Sequence, residues 1–308
     1  MQEDAFCGFS PPANLPKTAI FGCSGFIGSH FLPFYRKIHP DCAGAGRRPA
    51  YKNVFFFDLE APDISGMKLA ETGHTQALLL AAVSEVALCE SRKAYTRKIN
   101  VTGTLELIRQ LAAAGIKPIF ASSDYVFDGI SGGYPDDAPL NPITEYGRQK
   151  AEVEARISEI AKGNCAVIRL SKIFGLRKGD GTLFDEMARI LAAGGTLKAA
   201  YDQRFCPLLI RDLLEAVAGL QAAGASGIIN VCSAEKWSRY DLAAGLAREM
   251  GVPASRVERA SLDDILPGRP KNTTMETARL RREISREFTP IADCIKSAAA
   301  PWRKPDDL

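Results

Sequence analysis

The stretch IFGCSGFIGSHF, residues 20–31, decides the fold of this chain. An apolar run leads into it, and Gly22, Gly25 and Gly28 follow at three-residue spacing. Without side chains they let the backbone turn tightly and approach a pyrophosphate, and the next helix offers its N-terminal N–H groups and the positive end of its dipole. The same glycines alone would also suit an ordinary strand–helix turn. Because they follow an apolar strand and open a helix, they predict a dinucleotide-binding turn.

Apolar runs typical of strands buried on both faces recur through the first two thirds of the chain, separated by helical patterns. The predicted strands are KTAIFGC (17–23), NVFFFDL (53–59), ALLLAAV (77–83), KPIFASS (117–123), CAVIRLS (165–171) and GIINVCS (227–233), with a weaker one at 41–48. The predicted helices are 25–37, 91–114, 146–162, 211–222 and 237–250. This alternation predicts an α/β fold of Rossmann type, a doubly wound parallel sheet with helices on both faces.

The alternation loosens after about residue 172, and this change predicts the domain organisation. A smaller, discontinuous C-terminal lobe is expected over the carboxyl ends of the strands, where open α/β sheets bind ligands. The predicted parts are a flexible extension at 1–16, an NADP-binding Rossmann domain at 17–171 to which 202–234 return in part, and a substrate-binding lobe at 172–201 and 235–308.

The composition of the 308 residues excludes several classes of function. A net charge of +3 is too small to indicate nucleic acid or a membrane surface as a partner. The eight cysteines form no C-x-x-C pair and the histidines share no ligand spacing, so no metal site or redox dithiol is predicted. The acidic, proline-broken start does not resemble a signal peptide, and the longest apolar run is too short to span a bilayer. The sequence therefore predicts a cytoplasmic protein with buried thiols.

The residues about twenty positions after the glycine turn predict the cofactor. A chain that uses NAD would place an acidic residue there for the ribose 2′-hydroxyl. This chain has GAGRRP, and the guanidinium groups of Arg47 and Arg48 match the 2′-phosphate of NADP. NAD stays open as an alternative, because two solvated arginines in a loop would give the same pattern. Asp58 and Leu59, at the end of the next strand, are expected beside the adenine.

Three polar residues later in the chain predict the reacting end of the site. Tyr146 and Lys150 stand four residues apart, so a helix presents them on one face. The ammonium is expected to lower the pKa of the phenol toward neutrality. Ser123 ends the preceding strand and is expected to donate a hydrogen bond to a substrate carbonyl. Together they would clamp a carbonyl that receives hydride from the cofactor.

Further motifs carry a family resemblance that runs from about residue 17 to about 290. They are SSDYVFDG, YGRQKAEVE, AAVSEVALCE, INVTGTLELI, YDQRFCPLLIRDLLEA and GRPKNTTMETARL. With the glycine turn, in this order, they resemble the extended short-chain dehydrogenases/reductases, most closely the branch of the dTDP-4-dehydrorhamnose reductases.

The resemblance implies a role for individual residues. Ser123, Tyr146 and Lys150 take the positions of the catalytic triad, and Asn100 is the helix asparagine that supports the active site, unless it only packs the helix. The implied cofactor-binding residues are Gly22, Ser24, Gly25, Phe26, Ile27, Gly28, Arg47, Arg48, Asp58, Leu59, Ala81, Ala82, Asn100, Tyr146, Lys150 and Ser171. The implied substrate-binding residues are Ser84, Ser123, Asp124, Tyr125, Lys172, Gln203, Arg204 and Arg269, and Lys271 is a further cation expected near a diphosphate.

Two departures from related enzymes bear on the reaction. Sugar-nucleotide 4,6-dehydratases carry an Asp-Glu pair after the triad Ser/Thr, whereas this chain has Asp124 and Tyr125, so dehydration is disfavoured. Lys172 stands where rhamnose-pathway reductases usually have an aromatic residue, which leaves the sugar open. A thiol acid/base at Cys206 is an alternative to a buried structural cysteine.

The resemblance therefore implies NADPH-dependent reduction of a 4-keto nucleotide-activated deoxysugar, in deoxysugar or polysaccharide biosynthesis. Hydride would pass to the ketone carbon, and Tyr146 would protonate the oxygen. Two alternatives stay open: an NAD(P)-dependent sugar-nucleotide epimerase that regenerates its cofactor, and a non-catalytic regulatory subunit. The expected partner is a small nucleotide sugar, with no nucleic acid or membrane, and a homodimer is left open.

Overall fold

The computed structural model describes residues 11–48 and 54–303. Its strands are β1 Thr18–Phe21, β2 Gly44–Gly46, β3 Val54–Phe56, β4 Gln76–Leu79, β5 Lys117–Ser123, β6 Ala166–Leu170, β7 Ile173–Phe174, β8 Leu197–Ala200, β9 Arg204–Phe205, β10 Leu208–Leu209, β11 Gly227–Val231, β12 Trp237–Ser238 and β13 Val257–Ala260. Its α-helices are α1 Phe26–Ile38, α2 Val86–Ser91, α3 Lys93–Arg97, α4 Thr104–Ala113, α5 Glu145–Ile160, α6 Leu183–Ala192, α7 Ile210–Ala222, α8 Arg239–Glu249, α9 Leu262–Ile265, α10 Ala278–Glu283 and α11 Ile291–Ala299. Short 3₁₀ turns lie at Ser65–Met67, Asp124–Val126, Ala254–Arg256 and Ala300–Trp302.

Seven parallel strands form the central sheet, in the order β11-β6-β5-β4-β1-β2-β3. The order reverses between β1 and β4, and this switch point is where open α/β sheets form a ligand crevice at the carboxyl ends of the strands. The predicted Rossmann-type α/β fold is confirmed.

The core lies on both faces of this sheet. In β1 the side chain of Ile20 belongs to one buried cluster, and those of Ala19 and Phe21 belong to the other. Helices α1 and α7 cover the first face, while α4 and α5 cover the second. Because both faces are buried, the strands read as continuous apolar runs rather than as alternating patterns.

The helix predicted over 91–114 is interrupted, and this prediction was wrong in its continuity. The chain instead forms α2 and α3, a π-helical turn at Lys98–Gly103, and then α4. A side chain at Gly103 would place its Cβ 2.8 Å from the carbonyl carbon of Leu59, so the wide turn packs directly on the loop after β3. Turns of this kind are frequent at functional sites.

Small sheets and helices make up the C-terminal region. Strand β7 pairs with β10 and β8 with β13, both parallel, and β9 pairs with β12 antiparallel. Helices α6, α8 and α11 pack on one another beside β8. Leu242 of α8 and Ile295 of α11 share one hydrophobic cluster with Ile20 of β1. The core is therefore continuous with the central sheet, and the predicted domain limits stay a prediction.

Two sequence predictions fall partly outside the described residues: the extension at 1–16, described from 11, and the strand at 53–59, described from 54. Among the helices that the structure describes, none combines the length and the apolar character needed to cross a membrane.

Candidate active site

A cavity of about 280 Å³ opens at the carboxyl ends of β1, β2 and β4. The structure brings nine of the predicted cofactor residues to its wall: Gly22, Ser24, Gly25, Arg47, Arg48, Asp58, Leu59, Ala81 and Ala82. Five further lining residues were not predicted: Gly46, Phe57, Leu80, Val83 and Ile99. Nothing in the sequence indicated that these glycine and apolar residues would line a cavity, because they resemble ordinary strand and helix residues.

The three glycines of the turn serve different purposes. Gly22 has φ +92°, and a Cβ there would lie 2.6 Å from the backbone nitrogen of Ala81. A Cβ at Gly28 would lie 2.7 Å from the Cα of Cys23, so that position holds the helix against the strand. At Gly25 the nearest atom, the Gly22 oxygen, is 3.5 Å away. Gly25 is thus the open surface onto which a ligand can come close, as dinucleotide-binding turns require.

Charged side chains stand at one end of this cavity. Arg47 and Arg48 are exposed after β2, and neither forms an ion pair within the described part of the chain. Asp58 accepts a hydrogen bond from the backbone N–H of Glu60 at 3.0 Å, which fixes the turn after β3. Two unpaired guanidinium groups at the cavity wall suit a phosphate, so the residues present fit a phosphorylated dinucleotide.

Asn100 lies in the π-helical turn and supports the cavity wall from behind. Its Oδ1 accepts from the N–H of Val83 at 2.8 Å, and its Nδ2 donates to the Val83 oxygen at 2.9 Å and to Gln149 Oε1 at 2.8 Å. The side chain is 2% exposed and both amide hydrogens are used. These contacts match the supporting role expected of a helix asparagine, and direct contact of Asn100 with the cofactor stays a prediction.

Ser123 and Tyr146 are brought together by the start of α5. Thr144 caps the helix by accepting from the N–H of Gly147 at 3.1 Å. A Cβ at Gly147 would lie 3.0 Å from the carbonyl carbon of Tyr125, so the helix packs tightly on the turn that follows Ser123. The hydroxyl of Ser123 hydrogen-bonds the phenol of Tyr146. Lys150 follows one turn later and is buried.

The charges in this group differ from the prediction. Burial raises the pKa of Tyr146, and the hydrogen bond between Ser123 and Tyr146 only partly offsets this shift. Burial lowers the pKa of Lys150 to about 8, while the charge of Glu154 opposes this shift. The ammonium of Lys150 donates to the Ala121 oxygen at 2.7 Å rather than to the phenol. The expected lowering of the Tyr146 pKa was wrong, because burial of the phenol is the main influence on it and the Lys150 ammonium lies 5.8 Å from the centre of the Tyr146 ring.

Asp124 gathers hydroxyl groups from three parts of the chain. It accepts from Ser123 at 3.1 Å, Ser171 at 3.0 Å and Thr273 at 2.8 Å. Ser171 also accepts from the N–H of Cys206 at 3.3 Å. The structure thus places Ser171 in the Asp124 cluster, and its predicted contact with the cofactor stays a prediction. Thr273 was not predicted, because the Pro/Gly-rich tail gave no sign of where it would fold.

A second, larger cleft of about 670 Å³ is formed by the loop between β5 and α5 and by parts of the C-terminal region. Its lining residues are Asp128, Gly129, Ile130, Ile143, Tyr201, Asp202, Arg204, Arg269, Lys271 and Asn272. Arg204 and Arg269, which the sequence predicted to bind the substrate, both line this cleft. Lys271 is different, because its ammonium is paired with Asp202 at 3.0 Å and Asp263 at 2.6 Å. Its charge is therefore partly compensated, and its expected role as a cation for a diphosphate stays a prediction.

More cations stand near Tyr125, whose pKa burial raises to about 12, with the charges of Arg269 and Arg239 opposing the shift. Lys172 is exposed, yet the surrounding protein lowers the pKa of its ammonium and Arg239 lowers it further. Arg239, at the first position of α8, was missed because it reads as an ordinary helix residue after the Ser238 cap.

The remaining predicted residues take varied places. Gln203 is 9% exposed, and its Oε1 has no hydrogen-bond partner within the described residues. Phe26 and Ile27 form the start of α1, and the ring of Phe26 faces Gly175. Ser84 is exposed after Val83 and lines neither of these two cavities.

Comparison with known proteins identifies the family and the fold. Residues 17–302 match the family model described as the RmlD substrate binding domain. A dTDP-4-dehydrorhamnose reductase of Mycobacterium tuberculosis is 33% identical over 253 residues, which cover 80% of this chain and 79% of the relative. The methionine adenosyltransferase 2 subunit beta of Mus musculus is 23% identical over 305 residues, covering 94% and 89%. A dTDP-4-dehydrorhamnose reductase from Bacillus anthracis, solved in complex with NADP, has a TM-score of 0.76 at 19% identity, covering 92% and 98% of the two chains.

The chain belongs to the RmlD substrate-binding domain family. The predicted resemblance is confirmed, and so is the predicted class of enzyme, an oxidoreductase.

Proposed function

We propose that this member of the family is an NADPH-dependent reductase of a 4-keto nucleotide-activated deoxysugar, acting in deoxysugar or polysaccharide biosynthesis. One observation carries the proposal: Ser123, Tyr146 and Lys150 lie together, and the segments next to them in the chain or bonded to them reach both a cavity lined by the glycine turn and a larger cleft with arginines. On one side, Asn100 links Val83 of the first cavity to Gln149, the neighbour of Lys150. On the other, Asp128 and Ile143 line the larger cleft and belong to the loop that joins Ser123 to Tyr146.

The cofactor is NADP, held by the glycine turn and by Arg47 and Arg48. The open surface at Gly25 and the two arginines without ion pairs in the described chain support this choice. The structural relative solved with NADP supports it as well. When bound, NADPH supplies the hydride that reduces the ketone carbon.

Tyr146 is the proton donor in this proposal. Burial keeps its pKa high, so the phenol holds its proton at neutral pH until charge develops on the ketone oxygen. Lys150 is a cation below pH 8 and stabilises the phenolate that remains. Ser123 donates a hydrogen bond to the same oxygen.

The larger cleft holds the nucleotide end of the substrate. Arg204 and Arg269 at its wall suit phosphate oxygens, and Arg239 adds positive charge near Tyr125. Tyr201 is 40% exposed in the cleft, and the guanidinium of Arg259 lies 4.5 Å from its ring centre, so the ring offers a supported face for a base. The unpaired Oε1 of Gln203 suits a sugar hydroxyl.

The rival functions make different predictions. An epimerase would return its cofactor to the starting state, so it would consume no NADPH. A non-catalytic subunit would bind NADP without turnover, and one relative of this chain, from the mouse, is named as a subunit of another enzyme. The complete set of Ser123, Tyr146 and Lys150 supports catalysis over that reading. The free thiols of the described cysteines support a location in the cytoplasm, whose reducing conditions preserve them.

The test is a panel of 4-keto sugar nucleotides that differ in base and sugar, followed by loss of NADPH absorbance and by product analysis. The expected result is one NADPH consumed for each alcohol formed, with Tyr146→Phe as the inactive control. Conversion without NADPH loss would favour the epimerase. Tight NADP binding without turnover on any member of the panel would favour the regulatory subunit.

A further inference from the structure

The carboxyl group of Asp124 is buried, with 5% of the residue exposed, and its partners are hydroxyl groups. Ser123 donates to Oδ1, while Ser171 and Thr273 donate to Oδ2. No cation within the described residues lies at ion-pair distance from it, and Lys172 acts only through its longer-range charge. A buried carboxylate without a paired cation is costly. Its neutral and charged forms are therefore close in free energy.

The hydrogen-bonding capacity of Ser123 is limited. A hydroxyl group has one hydrogen and two acceptor positions. The hydrogen of Ser123 goes to Asp124, and the Tyr125 N–H donates to its oxygen at 3.2 Å. The Tyr146 phenol takes the remaining position. While Asp124 is ionised, Ser123 consequently has no hydrogen left for a substrate oxygen.

We infer that Asp124 is a positioning residue whose carboxyl proton turns the hydroxyl of Ser123 toward the ketone oxygen of the substrate. The inference rests on the proposed reductase function. When the Tyr146 phenol turns to the ketone, it leaves one acceptor position on the Ser123 oxygen. Protonated Asp124 donates to that position, and the hydrogen of Ser123 is released for the ketone. The Asp124 proton stays on Asp124 throughout, and the proton that enters the product comes from Tyr146.

Electrostatics favour the same state. A carboxylate one hydrogen bond behind Ser123 would repel the negative charge that develops on the ketone oxygen. Burial raises the pKa of Asp124 to about 6, and the hydrogen bonds from Thr273, Ser171 and Ser123 hold it from rising further. The titratable groups that face this carboxyl from the surrounding elements are Lys172, Tyr125, Tyr146, Cys206 and Cys232.

The first test needs no substrate. The carboxyl pKa of Asp124 is measured by ¹³C NMR with labelled aspartate, and its signal is assigned by its loss in Asp124→Asn. Thr273→Val removes a donor to the carboxylate while keeping the shape, so it should raise this pKa by about one unit. Thr273→Ser restores the hydroxyl and should restore the pKa. The matched control is Thr274→Val, whose hydroxyl donates to Asn272 at 2.9 Å instead.

The second test uses turnover. Above its pKa, the wild-type rate should fall as Asp124 loses its proton. Asp124→Asn carries an amide that donates to Ser123 and still accepts from Ser171 and Thr273, so its rate should lack this step. At pH 7 it should be about tenfold faster than the wild type, whose carboxyl is then about one-tenth protonated.

The outcomes separate the two hypotheses. A wild-type pH step retained in Asp124→Asn would overturn the inference, and so would an inactive Asp124→Asn with intact NADPH binding, because Asp124 would then donate the proton itself. In the NMR experiment, an Asp124 pKa that is unchanged in Thr273→Val would overturn the inference. Absence of turnover in the wild type would refute the proposed function, and the NMR titration would still decide whether the hydroxyl cluster controls Asp124.

Discussion

Glu154 and Arg169 form a buried ion pair close to Lys150 in α5. Removal of this ion pair should lower both the stability and the activity of the protein. Arg169 donates to Glu154 through Nη2 at 2.8 Å and through Nε at 3.1 Å, and both side chains are at most 2% exposed. Ser122 also donates to Glu154, and Arg169 donates to the Asp136 oxygen at 2.9 Å. The pair thus joins β5, β6, α5 and the loop before α5.

Glu154→Gln leaves Arg169 buried without a counter-charge. Breaking a buried pair in this way costs about 3–5 kcal/mol. An entropy of unfolding of about 2.1 cal/mol/K per residue gives about 0.65 kcal/mol/K for this chain, so Tm should fall by about 5–8 °C. Urea unfolding and calorimetry measure both quantities. Glu154 also opposes the lowering of the Lys150 pKa, so the loss of activity at alkaline pH should move below pH 8.

A matched control lies on the same helix. Glu152 pairs with Arg97, which is half exposed, so Glu152→Gln makes the same chemical change at the surface and should cost less than about 1 kcal/mol. Equal losses of stability in the two variants would refute the reasoning. So would an unchanged alkaline limb in Glu154→Gln, because Glu154 would then not act on Lys150.

Four further predictions follow from the site. Replacing Arg47 and Arg48 together by Ala should weaken NADPH about ten- to hundredfold with little effect on NADH, and equal losses would contradict the assignment. Tyr146→Phe should lower kcat by about 10²–10⁴-fold at nearly unchanged NADPH affinity, and a wild-type rate would place the acid elsewhere. Arg269→Ala should raise KM for the sugar nucleotide without changing NADPH affinity, and a lost cofactor would show a different role. Because the pKa of Asp124 is raised in the folded state, its contribution to stability is present below about pH 4 and is lost as pH rises through about 6. The free energy of unfolding of the wild type, relative to that of Asp124→Asn, should therefore fall by about 3 kcal/mol over that range. Urea titrations at several pH values measure this difference.

The sequence predicted what short-range patterns determine. The glycine turn after β1 and the buried apolar strands were enough for the sheet, because parallel strands covered on both faces leave a continuous apolar signal. The prediction of a continuous helix over 91–114 was wrong, because the π-helical turn depends on contact between Gly103 and the loop at Leu59. The prediction that the pKa of Tyr146 would be lowered was wrong, because helical spacing indicates which side chains are neighbours but not how deeply they are buried.

The residues that the sequence could not supply act across long separations in the chain. Thr273 meets Asp124 from 149 residues away, and Arg239 reaches Tyr125 from the start of α8. Neither stands in a motif, since a threonine in a polar tail and an arginine after a helix cap are ordinary surface patterns. Both act on the two residues that follow Ser123 directly in the chain. The folded C-terminal region therefore brings to the end of β5 a hydroxyl for the Asp124 carboxyl and a cation near the larger cleft. The surroundings of Ser123 therefore depend on the folding of the C-terminal region onto the Rossmann sheet as well as on the sheet itself.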